Sequence, residues 1–237
     1  MNLLDDPALL HWVLNTAPLL PQDTYLPWIR QAGWALVLAA LFSAASRRSA
    51  VPQLRAGYRL LAWPLALWAC IPGPWGLSYW LGLAFQTPSL MAIALSLQTL
   101  WQSLAQGRWA LMRQVSGFAD SGQRGPRRQY PYLVLGLVLG WLLLLDGFAY
   151  LPVSLYGWGF SPPAFALMLL LALWPWVQGV RFSLMAQSPA PALLAALVVF
   201  ALTRWPTGNV WDAVLDPWLF IALHLYAIAG YRARLSD

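Results

Sequence analysis

Runs of apolar residues alternate along this chain with short stretches that hold nearly all of its charge. A helix needs about 20 residues to cross a hydrocarbon layer. Seven runs approach or meet that length: 26–46, 59–73, 88–106, 130–146, 163–180, 190–204 and 217–231. The pattern therefore predicts an all-α, polytopic bundle of seven transmembrane helices in a single integral membrane domain. The sixth and seventh runs are the shortest, reaching about 22 Å at 1.5 Å per residue, which local thinning of a bilayer accommodates. The segment 1–25, with its apolar stretch PALLHWVLNTAPLL, is expected to lie as a helix in the outer interface. Residues 71–87, IPGPWGLSYWLGLAFQT, are too broken by Gly and Pro for a straight helix and read as an outer loop that dips back toward the membrane.

Charge sets the orientation. With the N-terminus outside and the C-terminus in the cytoplasm, twelve of the fourteen Arg residues fall inside: Arg47, Arg48, Arg55, Arg59, Arg108, Arg113, Arg124, Arg127, Arg128, Arg181, Arg232 and Arg234. Six of the eight Asp residues (Asp5, Asp6, Asp23, Asp146, Asp212 and Asp216) fall outside. This is the asymmetry that membrane insertion imposes on short loops, and a map lacking one span would scramble it. Each outside-to-inside helix begins near a proline, Pro27, Pro88, Pro163 or Pro217, where the missing N–H forfeits no intrahelical bond. A 75-residue shift aligns Gly82 with Gly157, Phe85 with Phe160, Pro88 with Pro163, Leu95 with Leu170 and Trp101 with Trp176, the pattern of a parallel repeat such as transporters carry.

Composition sharpens this picture. Hydrophobic residues make up 60% of the 237 positions and charged residues 9%, too few to solvate a globule that would carry roughly a quarter. Mean hydropathy is +0.58. Every basic residue is Arg and every acidic residue Asp. The absence of Lys excludes a Schiff base and a phosphate-loop lysine, and the absence of Glu excludes a glutamate base. Abundant Ala, Arg, Pro, Gly and Trp without Lys points to a bacterial source, and so to the inner membrane. Nucleic acid is not an expected partner, because the Arg residues lie in loops and form no stripe with stacking aromatics. The acidic N-terminus argues against a cleaved signal peptide. The single Cys70 lies in an apolar run and reads as a small buried hydrophobe.

Little in the sequence has the spacing of catalysis. Gly76-Leu77-Ser78-Tyr79 begins a G-x-S-x-G pattern, but Trp80 replaces its last Gly. Two His and one Cys give no metal-ligand spacing, and no cofactor is expected. Many of the sixteen Trp residues, among them Trp28, Trp75, Trp158, Trp205, Trp211 and Trp218, read as interface anchors. Asp212 and Asp216 would share a helix face, with Asp216 as a solvated cap before Pro217. The ionisable residues near membrane depth carry the binding expectation: Arg30, Asp146, Arg204, Asp212 and His224 form either an outward-opening polar pocket or ion pairs that stitch helix ends. Ser96, Gln98, Thr99 and Gln102 make the third span polar, as for a central helix or one that meets a protein partner. The leading expectation is a non-enzymatic membrane subunit or assembly scaffold acting through another membrane protein or complex. The alternatives are a small-solute or lipid transporter and a membrane-embedded lipid-modifying enzyme.

Overall fold

The computed structural model describes residues 20, 21, 23–116, 130–179 and 188–235. Most of the expected interfacial segment, with Asp5 and Asp6, and the loop residues Arg124, Arg127, Arg128 and Arg181 lie outside the described residues. Among the described residues there are ten α-helices and no strand. They are α1 (Leu26–Arg48), α2 (Pro52–Ala69), α3 (Leu77–Phe85), α4 (Leu90–Ser116), α5 (Tyr130–Gly147), α6 (Leu155–Trp158), α7 (Pro162–Val177), α8 (Ala190–Thr203), α9 (Val210–Val214) and α10 (Pro217–Leu235). The fold is all-α, as the apolar pattern predicts. By length and composition α1 alone among the described residues is long and apolar enough to cross a membrane, whereas residues 90–104, 131–147, 162–177 and 190–203 are shorter apolar helices.

Two boundaries differ from expectation for identifiable reasons. The second helix starts at Pro52, not at residue 59, because Pro52 suits the first turn and the exposed Arg55 and Arg59 continue it as good helix formers. Residues 71–87 are not an irregular loop: after a 3₁₀ turn at Gly73–Trp75 they form α3. Proline at a helix start is also more general than the orientation argument implies, since Pro52 and Pro191 open α2 and α8 as well.

The described residues group into two compact units, one within 23–88 and 92–116, the other within 20, 21, 89–91, 130–179 and 188–235. In the first, α1 and α2 form a hairpin, and α3 packs on both. Ala62, Ala66 and Ala69 form a buried row on α2, and small side chains of this kind let two helix backbones approach closely. Trp34 of α1 is buried, donates its indole N–H to the Gln86 carbonyl at 3.1 Å and lies 6.1 Å from the Phe85 ring.

In the second unit α5 packs on α10, and α7 on α8. Gly136 and Gly140 form a G-x-x-x-G face on α5. A Cβ on Gly140 would sit 2.2 Å from the Phe220 ring, and one on Gly136 would sit 2.7 Å from Leu223. Phe220 and Leu223 both belong to α10, so the glycines set how closely the two helices approach. Gly140→Ala should therefore lower stability by about 1–3 kcal/mol, because the new methyl overlaps the Phe220 ring, which already packs edge-on against Trp141 and His224. Gly147→Ala meets nothing within 4 Å and should be close to neutral. Thermal unfolding in detergent compares the two, and equal effects would remove the packing argument. On α7, Pro175 cannot donate to the Leu171 carbonyl, and the Tyr132 hydroxyl of α5 donates to that carbonyl at 3.3 Å instead.

Candidate functional site

Two segments of the second unit converge: residues 148–161, which follow α5, and residues 204–216, which lie between α8 and α10. In the first, the Ser154 hydroxyl accepts the Gly157 N–H and caps α6. In the second, Asn209 caps α9 by accepting the Trp211 N–H at 2.9 Å. Asn209 is fully buried and joins the segments, because its amide donates to the Tyr156 carbonyl at 2.9 Å. The Trp211 indole N–H donates to the Leu155 carbonyl at 2.9 Å, and the Val210 N–H donates to the Gly159 carbonyl at 3.0 Å. Gly159 is required here: a Cβ would fall 2.0 Å from Asn209 Oδ1 and 2.3 Å from the Trp211 ring.

Tyr156 ties two of the expected carboxylates into this junction. Its backbone N–H donates to Asp146 Oδ2 at 2.6 Å, and its hydroxyl donates to Asp212 Oδ2 at 2.7 Å. The Thr207 hydroxyl donates to the same Asp212 oxygen. Burial, and then the bond to Asp212 and its charge, push the Tyr156 phenol up to about 12. Because the folded value lies above the unfolded one near 10, the contribution to stability is complete below about pH 10 and is lost as pH rises through about 12. Tyr156→Phe should therefore flatten the alkaline fall in stability across that window. An unchanged alkaline limb, followed by thermal unfolding from pH 9 to 12, would detach the phenol from Asp212.

The remaining candidates go elsewhere. No ion pair joins Asp146 to Arg204 among the described residues. Arg204 is the residue after α8, in the left-handed conformation at φ 58°; its guanidinium lies 5.5 Å from the Phe200 ring centroid. A cation is favoured at a helix C-terminus, which accounts for an arginine at the end where loop charge disfavours it. His224 Nδ1 lies 2.9 Å from the Phe220 carbonyl one turn earlier, and its ring meets those of Phe220 and Trp141 edge-on. Arg30 belongs to the first unit and packs over Gly82 of α3; its buried Nε has no hydrogen-bond partner. The structure thus joins Asp146 and Asp212 through Tyr156, and gives Arg204, His224 and Arg30 separate local roles.

Several other expectations change. Asp216 does cap α10, accepting the Leu219 N–H at 2.7 Å, but it is buried, not solvated. It also accepts the Ser89 N–H at 2.6 Å, a contact spanning 127 residues of chain that no local pattern announces. Burial raises its carboxyl above the usual range, opposed by the bonds from Ser89 and the α10 backbone. Trp205 and Trp211 are buried, and are not interface anchors, whereas Trp28 and Trp75 are largely exposed. Cys70 is exposed, not buried, because it follows the last turn of α2. Ser78 is buried in the first turn of α3. On α4 the Ser96 and Thr99 hydroxyls donate to the carbonyls of Ala92 and Leu95, each four residues back; Gln98 and Thr99 are half-buried. A helical hydroxyl can close its bond on its own helix in this way, so its presence does not require a partner helix.

The junction depends on Tyr156, Asn209 and Gly159, none of which the sequence marks, whereas Gly136-x-x-x-Gly140 is legible in it as a helix-packing pattern. No protein-family model, no curated protein and no solved structure matches the chain.

Proposed function

We propose that this protein is a non-enzymatic, multi-pass membrane protein that acts as a subunit or assembly scaffold for a partner membrane protein or complex. The proposed location is a bacterial inner membrane, crossed seven times with the C-terminus in the cytoplasm. The carrying observation is how the carboxylates near the proposed outer face are used. Asp146, Asp212 and Asp216 accept N–H and O–H donors of the chain itself, from Tyr156, Ser89 and Leu219. A site that turns over or carries a solute instead needs such groups aimed at the solute. Leu97, Trp101 and Leu104, exposed at positions i, i+4 and i+7 of α4, supply a lateral apolar face for a helix of the partner. The charge asymmetry of the loops supports the orientation.

The alternative, a carrier of an anionic solute, rests on Arg30, whose buried Nε lacks an acceptor. Purification in mild detergent from the native membrane separates the two. A complex of fixed stoichiometry, lost on Trp101→Arg, is expected; a lone chain stabilised by a small anion, and no longer so in Arg30→Gln, would replace the scaffold reading. A periplasm-dependent reporter should be active near Gly208 and silent after Asp237. Activity at the C-terminus would mean an even number of crossings.

A further inference from the structure

The turn between α1 and α2 gathers Arg47, Arg48, Arg55 and Arg59. Among the described residues of this unit the only acid is Asp23, which lies at the other end of α1, about 36 Å away at 1.5 Å per residue. Charge that serves only to hold a loop on one side of a membrane needs no fixed orientation. Here three guanidiniums are braced. Arg47 donates to the Ser43 hydroxyl at 3.1 Å and also to that of Ser103. Arg55 donates to the Ser49 carbonyl at 3.0 Å. Arg59 Nε donates to the Ser46 hydroxyl at 3.1 Å, and the buried Ser46 hydroxyl in turn donates to the Arg55 carbonyl.

Every brace is neutral, so each guanidinium keeps its full charge, and most of its five N–H donors remain for another acceptor. The first turn of α2 adds to this field: it has neither an acidic residue nor a side-chain cap, and although Pro52 has no N–H and the Arg55 N–H donates to the Val51 carbonyl, the Gln53 and Leu54 N–H groups have no helical acceptor.

The same helix indicates what kind of anion this is. Arg55, Arg59, Trp63 and Leu67 are spaced four residues apart and lie along one ridge of the helix, each beside the next. Trp63 and Leu67 are 73% and 67% exposed. The row therefore passes from two cations through an indole to an aliphatic side chain, matching the order phosphate, ester region and acyl chain along one lipid. A free phosphate would leave the second half of the row without a purpose.

We propose that this turn binds an anionic phospholipid, with Arg47, Arg55 and Arg59 on the phosphate and Trp63 and Leu67 along the chain. The proposal rests on the membrane reading above. The site deepens that reading by naming a lipid class.

The test uses the full chain in neutral detergent, with phosphatidylglycerol, phosphatidylcholine or inorganic phosphate added, and reads both thermal unfolding and native mass spectrometry. Phosphatidylglycerol should stabilise and remain bound, while the other two do neither. Arg55→Lys with Arg59→Lys keeps the charge but loses the planar fork, and should weaken phosphatidylglycerol binding about tenfold without changing reporter topology. Should that double variant fail to fold, Ser46→Ala, which removes the brace of Arg59 together with the bond to the Arg55 carbonyl, is expected to weaken binding in the same direction. Equal effects of the two lipids, or undiminished binding by the folded variants, would overturn the proposal. Equal stabilisation by inorganic phosphate would overturn the assignment to lipid. Release of the chain from membranes by alkaline carbonate would instead sink the membrane reading, whatever the lipids do.

Discussion

Replacing Asn209 with alanine should lower the unfolding free energy by about 2–4 kcal/mol. The substitution removes the acceptor that caps α9 and the donor that reaches the Tyr156 carbonyl. Losing a cap costs about 1 kcal/mol, and leaving a buried partner unsatisfied costs about 1–3 kcal/mol more. Asn209 has no exposed surface in the fold, so water cannot replace either bond without opening the junction. Gly159→Ala should cause a loss of similar size from the other side, since the new methyl would occupy the position of Asn209 Oδ1. The two substitutions act on one contact, so their combination should cost less than the sum. Thermal unfolding of both singles and the double in detergent tests this, and full additivity would mean the residues do not share a junction.

The second large effect is expected at Asp216. Asp216→Ala should cost about 3–4 kcal/mol, because it strands the Ser89 and Leu219 N–H groups in a site from which water is excluded. Asp216→Asn keeps one acceptor and should cost less. The difference between wild type and the asparagine variant carries a pH signature. Burial raises the folded carboxyl above its unfolded value, so the stability that the acid contributes is complete below the unfolded value, near 4, and declines as pH rises through the folded value. Asparagine does not titrate. Its deficit relative to wild type should therefore shrink from pH 4 toward pH 8, and a deficit that grows over that range would show that the bonds to the carboxylate outweigh its desolvation.

Much of the helical layout was legible because apolar runs end at charges and begin at prolines. The expected 26–46 and 130–146 became Leu26–Arg48 and Tyr130–Gly147. What was not legible has physical causes. Gly82 looks like a helix breaker within 71–87, yet it lies inside α3, where the missing side chain makes room for Arg30. Asp146 and Asp212 stood out as carboxylates, but the residue between them, Tyr156, lies in a one-turn helix too short to carry a period. Asn209 resembles any polar loop residue until its partner 53 positions away is known. Polarity on α4 suggested a search for neighbours, and two of its hydroxyls bond within their own helix.

The Asp216–Ser89 contact also sets an order of events during synthesis. Ser89 leaves the ribosome 127 residues before the carboxylate that will accept its N–H. At about 5–20 residues per second, that donor waits roughly 6–25 s for its partner. A nascent chain arrested before residue 216 therefore holds an open N–H next to the start of α4. Proteases and chaperones that sample the growing chain have that interval in which to act, and it closes only when the last helix begins to emerge.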